Sequence, residues 1–160
     1  MMDLRDLYQD IILDHGRHPR NFGPLPDPSH LAHGHNPLCG DTVTIFVRLR
    51  DDRIAEVSFE GKGCAISTAS ASLMTEVMLN KTLAEAQALF AHFHTLATGG
   101  ATGGLTGGAP GLPPGLEEEG DRLEPLAGVK AYPARVKCAT LAWHTLEAAV
   151  RGGGTVVKTE

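Results

Sequence analysis

Thr42-Val43-Thr44-Ile45-Phe46-Val47-Arg48-Leu49-Arg50 and Ile54-Ala55-Glu56-Val57-Ser58-Phe59-Glu60 are two alternating runs, separated by Asp51-Asp52-Arg53. Val43, Ile45, Val47 and Leu49 point one way along the first run, and Ala55, Val57 and Phe59 form the apolar face of the second. With the acidic turn between them, this is a half-buried β-hairpin. Directly opposed residues share a face. Val47 therefore pairs with Ala55 or Val57, and Ile45 with Val57 or Phe59. Either register, carried outward, sets Cys39 opposite Gly63 or Ala65. The hairpin alone thus brings Cys39 close to Cys64.

Helical periodicity takes over on either side of the hairpin. Leu4, Leu7, Tyr8, Ile11 and Ile12 share one face of an amphipathic helix that ends near His15-Gly16. Four prolines between Arg17 and Pro28 force an extended surface run, and a short extended segment follows at Leu31 to His35. Ile66, Ala69, Leu73, Val77 and Met78 mark a second helix, running to Asn80. Thr82 and Glu85 form a capping box for a third, with Leu83, Ala86, Leu89, Phe90 and Phe93 on its apolar face. A short helix is expected at Leu123 to Ala127. Pro133 suits the first position of the last helix, which carries Val136, Ala139, Trp143, Leu146 and Val150. The tail from Gly152 is expected to fray. The expected fold is α+β: a small antiparallel sheet of two or three strands packed against about five helices. One domain spans 1–160. Its Gly-rich surface loop, at about 97–121, holds three Thr-Gly-Gly repeats and a run of prolines that cannot build a core. That run lacks the Gly-Lys-Ser/Thr ending of a phosphate cradle.

Composition removes whole classes of function. Nineteen acidic against fourteen basic residues give a net charge of −5, the wrong sign for a nucleic-acid surface. No apolar run approaches the roughly 20 residues needed to span a bilayer. The N-terminus reads as a helix and not as a signal peptide. Three cysteines, an odd number, suit a reducing cytoplasm better than a disulfide framework.

The chemistry-bearing residues are Cys39, Asp41, Cys64 and Cys138. Four donors match the ligand count of a tetrahedral zinc site, and the thiols alone equally suit sulfur chemistry. Cys64 precedes one helix and Cys138 lies near the start of another, where free N–H groups and the helix dipole favour a thiolate. Gly40 and Gly63 permit tight backbone beside the donors. Aspartate holds a metal less firmly than a fourth cysteine, which suits a site whose ligands exchange. Two plainer readings stand beside these: three buried cysteines acting as small hydrophobes, or a purely structural zinc. Arg135 and Lys137, positioned to handle charge near Cys138, count against the second. Among the eight histidines, His33 and His35 lack partners at metal spacing. His15, His18, His92 and His94 are read as ends of helices, where the dipole favours a cationic ring. Trp143 is read as core.

Several stretches resemble the U-type iron–sulfur scaffold family. Leu7-Tyr8, Ile12-Leu13-Asp14-His15 and His18-Pro19-Arg20-Asn21 resemble its N-terminus. Asn36-Pro37-Leu38-Cys39-Gly40-Asp41 resembles its first ligand motif, Phe59 to Ser67 its second and Pro133 to Trp143 its third. The cluster-building IscU branch has a histidine before its third cysteine and a Leu-Pro-Pro-Val-Lys motif just upstream. Here Lys137 precedes Cys138, and the upstream chain reads Val129-Lys130-Ala131-Tyr132-Pro133. Lysine there, with an insertion between the preceding helices, is similar to the SufU branch of zinc-dependent sulfurtransferases. The resemblance implies zinc on Cys39, Asp41, Cys64 and Cys138, with Lys137, Gly40 and Gly63 around them. It implies Cys39 as the persulfide acceptor and Arg135 as an aid to ligand exchange. The implied partners are a SufS-type cysteine desulfurase and, downstream, Suf scaffold proteins or a thiol reductant. The alternative within the family is a scaffold that builds and passes on a [2Fe-2S] or [4Fe-4S] cluster.

Overall fold

The computed structural model describes residues 4–37, 40–98, 112–152 and 156–158. Helix α1 (Leu4–Arg17) leads into strand β1 (His30–Asn36), then β2 (Asp41–Arg50) and β3 (Arg53–Lys62). Helices α2 (Ala65–Met78), α3 (Leu83–Thr98) and α4 (Glu117–Leu123) follow, then a 3₁₀ helix (Glu124–Ala131), α5 (Pro133–Val150) and a three-residue strand β4 (Val156–Lys158). The sheet order is β3-β2-β1-β4. Strands β1 to β3 are antiparallel, which gives the α+β architecture expected.

The hairpin takes the second of the two registers open to it: Val47 pairs with Val57 and Ile45 with Phe59. Asp51 and Asp52 both have left-handed φ, 53° and 61°, the conformation of the two-residue turn whose twist matches its strands. One detail departs from simple alternation. Arg48 faces Glu56 but Leu49 faces Ile54, so Ala55 is an extra residue in β3. This bulge shifts the period by one. Ile54 becomes wholly buried, whereas Ala55, expected on the apolar face, is only half-buried.

Two other segments differ from the sequence pattern. The acidic run Glu117–Glu119 starts α4, where the helix dipole favours negative charge, so helix begins before the expected Leu123. Pro125 then sits at the start of the 3₁₀ helix, because its ring cannot continue α4. The tail also does more than fray. Val156–Lys158 pair in parallel with His33–His35, covering polar backbone that β1 would otherwise present as an edge. Residues 99–111, the repeat-bearing part of the Gly-rich stretch, lie outside the described residues.

Helices α2 and α5 pack against the sheet, and the other helices pack on them and on one another. Helix α5 lies across β1 and β2, and α2 packs between α5 and α1 while reaching β3. Gly34 allows the close approach of β1 to α5, since a Cβ there would sit 2.1 Å from Thr145 Oγ1. Trp143 is fully buried and stacks on Phe93 with ring centroids 4.1 Å apart. Its Nε1–H donates to Ser70 Oγ (3.0 Å), and the Ser70 hydroxyl donates to the Ala139 carbonyl (2.5 Å). Helices α2 and α5 are thereby locked side by side. The expected capping box is present: Thr82 N–H donates to Glu85 Oε1 (2.9 Å) and Glu85 N–H to Thr82 Oγ1 (3.1 Å).

Candidate metal centre

The strand β2, the connection from β3 to α2, and the first two turns of α5 meet at one point. Asp41 opens β2 and is 2 % exposed. Its Oδ1 accepts the Cys64 N–H at 3.2 Å, and its Oδ2 lies 4.0 Å from Cys64 Sγ. Cys64 is the N-cap of α2, where its sulfur accepts the Ser67 N–H at 3.4 Å. That free helix-end donor is the one expected for this cysteine. Gly63 leaves room for the Asp41 carboxylate, since a Cβ there would come 2.9 Å from Oδ1. Gly40 has φ +74°.

Cys138 differs from expectation. It is the sixth residue of α5, past the turn whose N–H groups are free, so the helix end does not serve its sulfur. Side chains do. Asn36, at the end of β1 and fully buried, points its Nδ2 at Cys138 Sγ, 4.0 Å away. Arg135 stands three residues earlier on α5 and is exposed, with its guanidinium at both thiols. Its hydrogen bond to Cys138, with the charge of Cys64, pushes the Arg135 pKa above its ordinary value. Lys137 is half-buried on the same turn.

Asp41, Cys64 and Cys138 each offer one donor atom, and all three donors lie within 4.8 Å of one another. Cys39 lies outside the described residues. One carboxylate and two soft sulfurs suit zinc or iron and not magnesium or calcium, so the residues present fit the group that the sequence suggests. Arg135, singled out from sequence, does reach the sulfurs. Asn36 and Ser67 were not singled out. Ser67 had a legible signal, three residues after an N-cap. Asn36 had only its place at the head of the Cys39 motif.

The histidines separate from the centre. His15 was read as a cationic helix end, yet it is 6 % exposed, with Nδ1 2.7 Å from Ser72 Oγ. Burial, then the charge of Arg20, lowers its pKa, so desolvation overrides the dipole. His33 lies beside Thr44 on the sheet, with Nδ1 2.8 Å from Thr44 Oγ1. An apolar cavity of about 440 Å³, lined by Met78, Phe90, Trp143 and Val150 among others, sits at the far end of α5 from the donors.

A domain described as NifU-like N terminal domain matches residues 7–96. The chain is 36% identical over 148 residues to the iron–sulfur cluster assembly scaffold protein IscU of Streptococcus pyogenes serotype M1, covering 92% of this chain and 85% of that one. It is 37% identical over 148 residues to the zinc-dependent sulfurtransferase SufU of Bacillus subtilis, covering 92% of each. A crystal structure from Fervidobacterium islandicum AW-1, described as an iron–sulfur cluster assembly scaffold protein for the SUF system, superposes with a TM-score of 0.75 at 31% identity. That match covers 92% of this chain and 99% of the other. This chain belongs to the NifU-like N-terminal domain family of iron–sulfur cluster assembly proteins. Within that family its relatives carry two kinds of name, scaffold and sulfurtransferase. Among the described residues, no helix is long and apolar enough to cross a membrane.

Proposed function

We propose that this protein is a zinc-dependent sulfur acceptor that takes persulfide sulfur from a SufS-type cysteine desulfurase in the cytoplasm. The observation that carries the reading is the meeting of Asp41, Cys64 and Cys138 under the Arg135 guanidinium. Lys137 supports it, because the cluster-building branch resembles this chain less closely at that position. Asp41, Cys64 and Cys138, joined by Cys39, would hold the zinc. Bound there, it would keep the thiolates deprotonated and protected. Arg135, a positive charge beside two of the sulfurs, would aid the ligand exchange in which a side chain of the docked desulfurase takes the place of Cys39 and leaves its thiolate free to attack. The Cys39 thiolate then attacks the outer sulfur of the desulfurase persulfide. The S–S bond breaks, its electron pair leaves on the desulfurase cysteine, and Cys39 carries the sulfur as a persulfide. A thiol reductant or a downstream Suf scaffold protein takes it on.

The scaffold names among the relatives favour a second reading, a platform on which a cluster is built and handed on. One experiment separates the two: metal analysis of anaerobically purified protein, combined with a desulfurase assay. The sulfur-acceptor reading expects one zinc per chain, no brown chromophore and a several-fold stimulation of the desulfurase. A stable cluster at the cysteines with no stimulation overturns it.

A further inference from the structure

We infer that Asn36 is a positioning residue of the metal centre: its buried side-chain amide is the fixed hydrogen-bond donor to the Cys138 sulfur. The inference rests on the metal-centre reading above, since it concerns a residue that supports one of the proposed ligands.

Cys138 is fully buried. A thiolate there has no bulk water to solvate it and must be met by protein donors. Two point at it. Arg135 is a long, exposed side chain on the same helix, free to swing away as the site is remodelled. Asn36 is the opposite in every respect. It is 0 % exposed, short, and set in a different element, the end of β1. Its Nδ2 lies 4.0 Å from Cys138 Sγ.

The backbone of Asn36 is fixed as firmly as its side chain. It pairs with Asp41 across β1 and β2, and its carbonyl accepts the Gly40 N–H at 2.8 Å. Two residues back, Gly34 brings β1 hard against Thr145 and Leu141 of α5. One residue therefore ties the Cys138 ligand to the strand that pairs with the Asp41 ligand. Removing Arg135 would leave this tie in place. Outer partners of this kind orient a ligand and set its donor strength. An N–H bonded to a thiolate both holds the sulfur in place and draws charge from it, so its loss loosens the ligand, which weakens binding, and raises the energy of the sulfur lone pairs, which moves the charge-transfer band.

The test uses zinc competition and cobalt(II) substitution on the full chain. Asn36→Asp keeps the shape and the backbone turn but replaces the N–H by a carboxylate oxygen. Asn36→Leu removes the donor without adding charge. Both variants are expected to bind zinc about tenfold or more weakly, and both should shift the sulfur-to-cobalt charge-transfer band to longer wavelength. Wild-type affinity with an unmoved band overturns the inference. So does weaker binding with an unmoved band, which is the mark of a residue that is only structural. If neither variant folds, the cadmium-113-loaded wild-type protein decides. Scalar coupling between the metal and an Asn36 side-chain amide proton supports the inference, and its absence overturns it. Zinc binding undiminished by Cys138→Ser would sink the metal-centre reading itself. Normal loss in Cys138→Ser beside unaltered Asn36 variants sinks only this inference.

Discussion

Arg135 and Asp41 bring a guanidinium and a carboxyl group to the same two thiols. Arg135 presents a planar fork of N–H donors, so one side chain can serve two sulfurs at once, as its raised pKa from Cys138 and Cys64 indicates. Lysine, a single compact charge, cannot span them. Arg135→Ala should therefore leave the zinc content unchanged but remove most of the several-fold desulfurase stimulation, with Arg135→Lys only partly restoring it. Zinc quantification beside the stimulation assay reads both, and equal stimulation by all three proteins would remove Arg135 from the mechanism. Asp41 carries two separable duties. It is a candidate oxygen ligand, and its Oδ1 accepts the Cys64 N–H. Asp41→Asn keeps an acceptor and loses the anionic donor, whereas Asp41→Ala loses both. Both should weaken zinc binding. Only Asp41→Ala should also destabilise the zinc-free protein, by about 1 kcal/mol for the half-buried N–H left unpaired. Denaturant titration in chelator distinguishes the two. Cys39→Ala tests the acceptor directly: uptake of labelled sulfur should vanish.

Helices α2 and α5 carry Cys64 and Cys138, so the spacing of the two sulfurs depends on how the helices are joined. Ser70 is the joint, accepting from Trp143 Nε1–H and donating to the Ala139 carbonyl. Ala139 keeps its place in the helix ladder without Ser70, but the Trp143 N–H would be orphaned in the core. Ser70→Ala should cost about 1–3 kcal/mol, a drop of very roughly 2–12 °C in Tm for a chain of this length. Thermal unfolding measures it, and an unchanged Tm would mean that the joint contributes nothing net. The elements themselves were largely legible from local signals. Alternation gave the hairpin, Thr82 and Glu85 gave the start of α3, and Pro133 gave the start of α5. Each rests on neighbours a few residues apart. The bulge at Ala55, the strand at Val156–Lys158 and the burial of His15 were not legible, because each depends on what another element does. The same division runs through the site. Cys64, Asp41 and Arg135 stand out by residue type and spacing. Asn36 acquires its role only when β1 is laid against α5, 102 residues away in sequence from the sulfur it faces.

The molecule as a whole is acidic, with a net charge of −5, yet its response to acid is set first by two partly or fully buried histidines. His15 lies between α1 and α2, near Ser72, Glu76, Arg20 and Asp14. Burial, then Arg20, lowers its pKa from 6.5, while Glu76 and Asp14 pull weakly the other way. His144 on α5 is lowered likewise by burial and by His94. A lowered histidine pKa means that the folded state prefers the neutral ring. Above pH 6.5 folded and unfolded chains are both neutral, and the shift costs nothing. As pH falls below 6.5 the unfolded chain binds protons that the folded one refuses, so stability declines until the folded pKa is passed. Asp14 acts in a separate, lower window. Its carboxyl is held below 3.8 by the Arg20 hydrogen bond, so its contribution is present above that value and is lost as pH falls through the lower folded one. Zinc-free protein should therefore lose stability as pH falls below 6.5. His15→Gln should flatten that decline, by up to about 1.4 kcal/mol per pH unit while a single proton is taken up. Denaturation midpoints from pH 7.5 to 5, taken in chelator because proton release from metal ligands would add its own slope, supply the comparison. A decline as steep in His15→Gln as in wild type would assign the acid sensitivity to His144, and its persistence in a His15→Gln, His144→Gln double variant would remove both histidines from the account.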